Sequence, residues 1–171
     1  MMGNSTTSGT GGTSQPLAGK INLKTLVGSG DKIGLFTLPF LVVGVALNVI
    51  RPEFFRVGGP SSAVAAIAWP LLAVGVVLWL WSVMLILTRV PKHELITVGP
   101  FALMKHPLYT SVGLLVIPFA GLLLNTWLGI ALGLVLYVAA RRYAPAEEEQ
   151  LAETFGREWD AYRERVMLPW L

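Results

Sequence analysis

The chain has 171 residues, 54% hydrophobic and 13% charged, with a formal net charge of +3. A soluble domain of this size carries about twice that share of charged residues, so the composition excludes that class. The lack of cysteine excludes disulfides, thiolate catalysis and cysteine-held metal, and the small positive balance needs no nucleic-acid partner.

Residues 1–19 are rich in Gly, Ser and Thr. They lack the basic and apolar regions of a signal peptide, so residues 1–30 are expected to form a disordered tail. Met2-Gly3-Asn4-Ser5-Thr6-Thr7 fits the myristoylation pattern, a match that polar tails reach by chance. Residues 57–88 and 107–140 hold no charged residue. About 20 apolar residues span a bilayer as a helix. Four transmembrane helices are predicted, over about 33–50, 63–87, 108–124 and 127–140, with a turn at Asn125-Thr126. Pro39 and Pro70 fall inside the first two. The fold class is therefore all-α, an integral membrane bundle. Residues 31–88 hold the first two spans, and residues 89–171 a region with a helical hairpin.

Lys20, Lys24, Lys32, Arg89, Lys92, Lys105, Arg141 and Arg142 bias both termini and the 89–106 loop to the cytoplasm. Residues 145–166 read as an amphipathic helix. Pro145 suits its first turn and Glu147, Glu148 and Glu149 its positive N-terminal end. Leu151, Phe155, Trp159, Tyr162 and Val166 share one face, suited to the membrane surface or to the bundle. Gly156 marks a kink or a close backbone approach. Gly129 and Gly133 allow close helix contact, within the bundle rather than between copies.

The polar residues at the span edges are the candidates for chemistry, because ionisable groups at a membrane are costly. Pro107 holds His106 out of helical geometry at the mouth of the bundle, where its imidazole can bond or act as a base. An ordinary interfacial histidine is the alternative. Tyr109 lies one helical turn further on, facing the same way as His106 or serving as an anchor. Gly99-Pro100 makes a turn that admits close backbone approach or simply bends the chain. Glu147 and Glu148 can receive a ligand's ammonium or hydroxyls, or act as a solvated cap. Arg142 can hold a carboxylate or serve as a positive-inside anchor. His93 reads as a solvated loop residue. Two histidines without metal-ligand spacing make a protein-held metal improbable.

Leu95-Ile96-Thr97-Val98-Gly99-Pro100-Phe101, ending in Lys105-His106-Pro107-Leu108-Tyr109, precedes a hairpin. Glu147-Glu148, Leu151, Phe155-Gly156, Trp159 and Tyr162 follow it. In order and spacing these motifs resemble the isoprenylcysteine carboxyl methyltransferase and phospholipid methyltransferase family of integral membrane enzymes. The resemblance covers about residues 85–170. Phe101 and Trp159 stand where that family has tyrosine, and Lys105 where it has arginine, which loses a bidentate fork.

The resemblance implies an S-adenosylmethionine-dependent methyltransferase. Its cofactor would be held by Gly99, His106, Pro107, Tyr109, Arg142, Glu147 and Glu148, with Lys105, His106 and Tyr109 at the reaction centre. A lipophilic acceptor would come from the bilayer, and the chain would be a monomer or weak homodimer among membrane lipids. A nicotinamide-dependent reductase of the sterol reductase type and a non-enzymatic membrane protein are the alternatives.

Overall fold

The structure, a computed structural model, describes residues 30–59 and 61–168. The expected tail over residues 1–29, its acylation pattern, Lys20 and Lys24 lie outside the described residues.

Two long apolar helices come first. Helix α1 spans Gly30–Ile50, with Asp31 in its first turn and Pro39 inside. A short turn, α2 (Pro52–Phe55), follows. Helix α3 spans Ser62–Arg89, capped by the Ser61 side chain accepting from the Val64 amide, and contains Pro70. Each long helix buries only a narrow stripe. In α1 the stripe is Ile33, Thr37 and Gly44, which faces the later helix α7 (Leu128–Phe155). In α3 it is Ala68, Gly75 and Ser82, spaced by sevens. The small residues let a partner helix approach, and the Ser82 hydroxyl donates to the Leu78 carbonyl at 2.7 Å.

The remaining surface of both helices is apolar and outward-facing. Leu35 is 74% exposed, Val49 73% and Trp69 62%. Apolar surface on this scale costs about 25 cal/mol per Å² in water and nothing comparable in lipid. These are membrane helices, not the core of a soluble domain.

The chain then turns through Val90–Lys92 and a loop into α4 (Pro100–Leu103). Helix α5 (Pro107–Ser111) continues through one π-helical turn, Val112–Val116, into α6 (Ile117–Leu123). Asn125 makes the next turn in the left-handed region, at φ 59°. Its side-chain oxygen accepts from the Val57 and Gly59 amides at 3.3 and 2.7 Å. Trp127 stacks on Phe55 at 5.1 Å between ring centres, and its indole donates to the Phe54 carbonyl at 2.9 Å. These contacts join the two loops at one end of the bundle.

Helix α7 returns along the hairpin. A Cβ on Gly129 would lie 2.5 Å from the Ile117 carbonyl oxygen and 2.8 Å from Gly121 Cα, and one on Gly133 would strike the Gly113 carbonyl. The expected glycine contact is therefore internal to the bundle.

Two expectations are corrected. No break separates a fourth span from a surface helix, because α7 runs unbroken through Arg141, Arg142 and Pro145. Charge ends an apolar run but not a helix, and the Ala, Arg, Glu, Gln and Leu residues here are strong helix formers. Glu147, Glu148 and Glu149 consequently sit within a helix rather than at a helix N-terminus, so the dipole-cap reading falls. The break comes at Gly156, φ 51°, followed by α8 (Arg157–Arg165).

Candidate functional site

A partly buried charged cluster gathers at the end of the bundle opposite the Asn125 turn. The 89–106 loop, the distal half of α7 and α8 meet there. The apolar face expected of residues 145–166 packs inward across the Gly156 break. Trp159, Tyr162 and Val166 form a buried cluster with Leu95, Leu151, Ala152 and Phe155 around it. Beyond α8 the chain is pinned to α4, with the Leu168 amide donating to the Leu103 carbonyl at 2.8 Å. The Tyr162 hydroxyl donates to the Phe101 carbonyl at 2.8 Å. Burial, then the charge of Glu148, raises the Tyr162 phenol above its ordinary pKa, so it remains a neutral donor.

Pro107 is fully buried at the start of α5, and His106 before it has φ −122° and ψ 58°, outside the helical region as expected. This aims the imidazole at α7. Glu148 Oε1 accepts from Lys105 Nζ at 2.6 Å and lies 3.2 Å from His106 Nε2. The three side chains are 12%, 11% and 24% exposed for Lys105, His106 and Glu148. Burial alone would raise the Glu148 carboxyl. The hydrogen bonds from His106 and Lys105, and their charges, outweigh it and hold the pKa at about 2. A carboxylate only accepts, so His106 carries a proton on Nε2 in this arrangement. Lys105 and His106, 43 and 42 positions before Glu148 in sequence, thus share one of its oxygens.

Beside this cluster lies a cavity of about 230 Å³. Glu147, Gln150, Leu151 and Thr154 line it at helical spacings of three and four, so one face of α7 makes its floor. Lys105, His106 and Glu94 add polar atoms, and Ile86, Val90, Leu95, Ile96, Phe101, Phe155, Trp159 and Tyr162 form apolar walls. Glu148 lies one step round the helix from Glu147, facing Lys105 and His106. His93, expected to be a solvated loop residue, is exposed yet lines the rim.

The other sequence candidates sit elsewhere. The Tyr109 ring lies 6.5 Å from that of His106 but packs against Ile33, Ala139 and Ala140. Gly99 does not line the cavity. Its φ of +62° and the Trp81 indole, 2.9 Å from where a Cβ would stand, account for glycine there. Arg142 is exposed and outside the cavity lining. Sequence reasoning missed Gln150 and Thr154 as residues of the cavity floor. Their spacing from Glu147 carries that signal once α7 is read as continuous.

An apolar helical bundle that carries a charged cluster and a mixed polar and apolar cavity at one end has the makings of a helical membrane protein. The chain belongs to the isoprenylcysteine carboxyl methyltransferase (ICMT) family, whose model matches residues 62–153. It is 35% identical over 75 residues to a probable protein-S-isoprenylcysteine O-methyltransferase of Oryza sativa subsp. indica, covering 44% of this chain and 39% of that protein. It is 31% identical over 78 residues to protein-S-isoprenylcysteine O-methyltransferase B of Arabidopsis thaliana, covering 46% and 40%. The matched region spans about two fifths of these relatives. No solved structure matches the chain.

Proposed function

We propose that this protein is a multi-pass membrane methyltransferase. It would use S-adenosylmethionine, with the site facing the cytoplasm, to methylate a lipophilic carboxylate of the isoprenylcysteine kind. The observation that carries the reading is the Lys105–His106–Glu148 cluster beside a cavity that is polar on its α7 floor and aromatic on its walls. Family membership and the relatives' names supply the reaction class.

The residues fit the cofactor by their chemistry. Glu147 offers a carboxylate to an ammonium, and Phe101 and Phe155 offer aromatic surface to a flat base or a sulfonium. Bound there, the cofactor supplies a methyl group activated by positive sulfur. The protein's contribution is then positioning, which is the larger part of catalysis for an in-line displacement. Glu148 fixes the 105–106 backbone against α7 and so fixes the mouth of the cavity. With a pKa of about 2, it has no useful proton affinity at neutral pH and cannot act as the base. A carboxylate acceptor is already anionic and needs no base, whereas an ammonium must first lose a proton to some other group. Ile86 and Val90, at the end of α3, form the apolar flank from which such an acceptor would arrive.

The test is calorimetry on detergent-purified protein with S-adenosylmethionine and with NADPH. Transfer of radiolabelled methyl to a farnesylated cysteine carboxylate follows. Binding of S-adenosylmethionine and base-labile label on the acceptor are expected. Binding of NADPH alone would overturn the reading.

A further inference from the structure

Resting on the reading above, we propose that the Trp159 indole N–H is a specificity-determining donor. It would recognise a hydrogen-bond acceptor on the flat base of the bound cofactor. Trp159 is 2% exposed and lines the cavity. Its Nε1 is buried without a hydrogen-bond partner among the described residues. An indole nitrogen is a donor only, and a buried donor left unmade is costly.

Two neighbouring hydroxyls are already committed. The Tyr162 hydroxyl donates to the Phe101 carbonyl at 2.8 Å, and the Thr154 hydroxyl to the Gln150 carbonyl at 2.7 Å. Trp159 therefore brings an uncommitted donor to the aromatic side of the cavity. The anionic side, at Glu147, lies on the α7 floor. A ligand that matches both is cationic at one end and carries a flat, acceptor-bearing heterocycle at the other. The base of S-adenosylmethionine and of its demethylated product, S-adenosylhomocysteine, has ring nitrogens that accept. The Trp159 ring lies 5.4 Å from that of Tyr162, which holds the donor in place. Tryptophan, where the family has tyrosine, would thus move the donor from a ring tip to a ring edge.

The experiment uses the full chain in detergent micelles, with S-adenosylhomocysteine as the probe. Calorimetry on the wild type and on Trp159→Phe, which keeps a ring and loses the N–H, should show affinity reduced about tenfold, the value of one hydrogen bond. In ¹⁵N–¹H spectra the wild-type Trp159 indole resonance should move downfield on saturation. The resonance is assigned by its absence from Trp159→Phe, or from Trp159→Tyr if the phenylalanine variant does not fold. Wild-type binding with that resonance unmoved would overturn the inference while leaving the proposed function standing. Failure of the wild type to bind either S-adenosylmethionine or S-adenosylhomocysteine would overturn both.

Discussion

Replacing Glu148 by glutamine tests the electrostatic core of the site. The carboxyl is held at about 2 against an ordinary 4.5, and each pKa unit corresponds to about 1.4 kcal/mol. The full shift would set an upper bound of about 3.5 kcal/mol. The carboxylate keeps 24% of its side-chain surface in contact with solvent, so screening reduces this to about 1–2 kcal/mol. For a chain of this size that is a loss of roughly 3–8 °C in Tm. The sign follows from the depressed pKa. The stabilisation is complete above the unfolded carboxyl's pKa, declines as the pH falls from about 4.5 towards 2, and is absent below that. Thermal unfolding in micelles, followed by tryptophan fluorescence, should show Glu148→Gln less stable than the wild type at pH 7. The two should converge near pH 2. A cycle with Lys105→Met should give a coupling of about 1–2 kcal/mol, because the two groups are 2.6 Å apart. A Tm deficit unchanged between pH 7 and pH 2, or strictly additive single changes, would refute the reasoning.

Other perturbations probe separate features. His106→Ala should weaken S-adenosylmethionine binding about ten- to a hundredfold by calorimetry with the fold retained, whereas Lys105→Arg should keep cofactor affinity and alter turnover if Lys105 is tuned to the acceptor. Gly133→Ala should cost about 1–3 kcal/mol by overpacking the hairpin against Gly113 and Pro118. Gly34→Ala, with nothing within 4 Å of its added Cβ, should be neutral or slightly stabilising, and the contrast is read from their Tm values. Gly99→Ala should lower Tm through about 1–3 kcal/mol of backbone strain at φ +62°, aggravated by the Trp81 indole.

Much of the fold was legible from local chemistry. The charge-free runs mark the apolar helices because lipid selects for composition over a fixed length. Asn125 marks the turn because its side chain tolerates the left-handed region, and Gly156 marks the helix break for the same steric reason. The inward face of Leu151, Phe155, Trp159, Tyr162 and Val166 is a periodicity. It survives the change of helix direction because burial depends on each side chain's own chemistry. The boundary near Arg141 was misread, since hydropathy changes there while helix propensity does not.

The site divides along the same line. Residue type and motif order singled out His106, Lys105, Glu147 and Glu148 as a candidate group. Only the return of α7 beside α5 brings Glu148 to hydrogen-bonding distance of Lys105 and His106, and that depends on glycines in two helices meeting. Composition could not reveal that Glu147 and Glu148 take different roles, because a 100° step round a helix separates a cavity floor from an ion pair. Nor could it reveal that Trp159 holds a buried, uncommitted N–H. Sequence alone determined which segments leave water and which residues carry charge at their edges. Tertiary structure decided which of those charges meet, because pairing at 3 Å depends on helix phase and packing distance, which no single segment encodes.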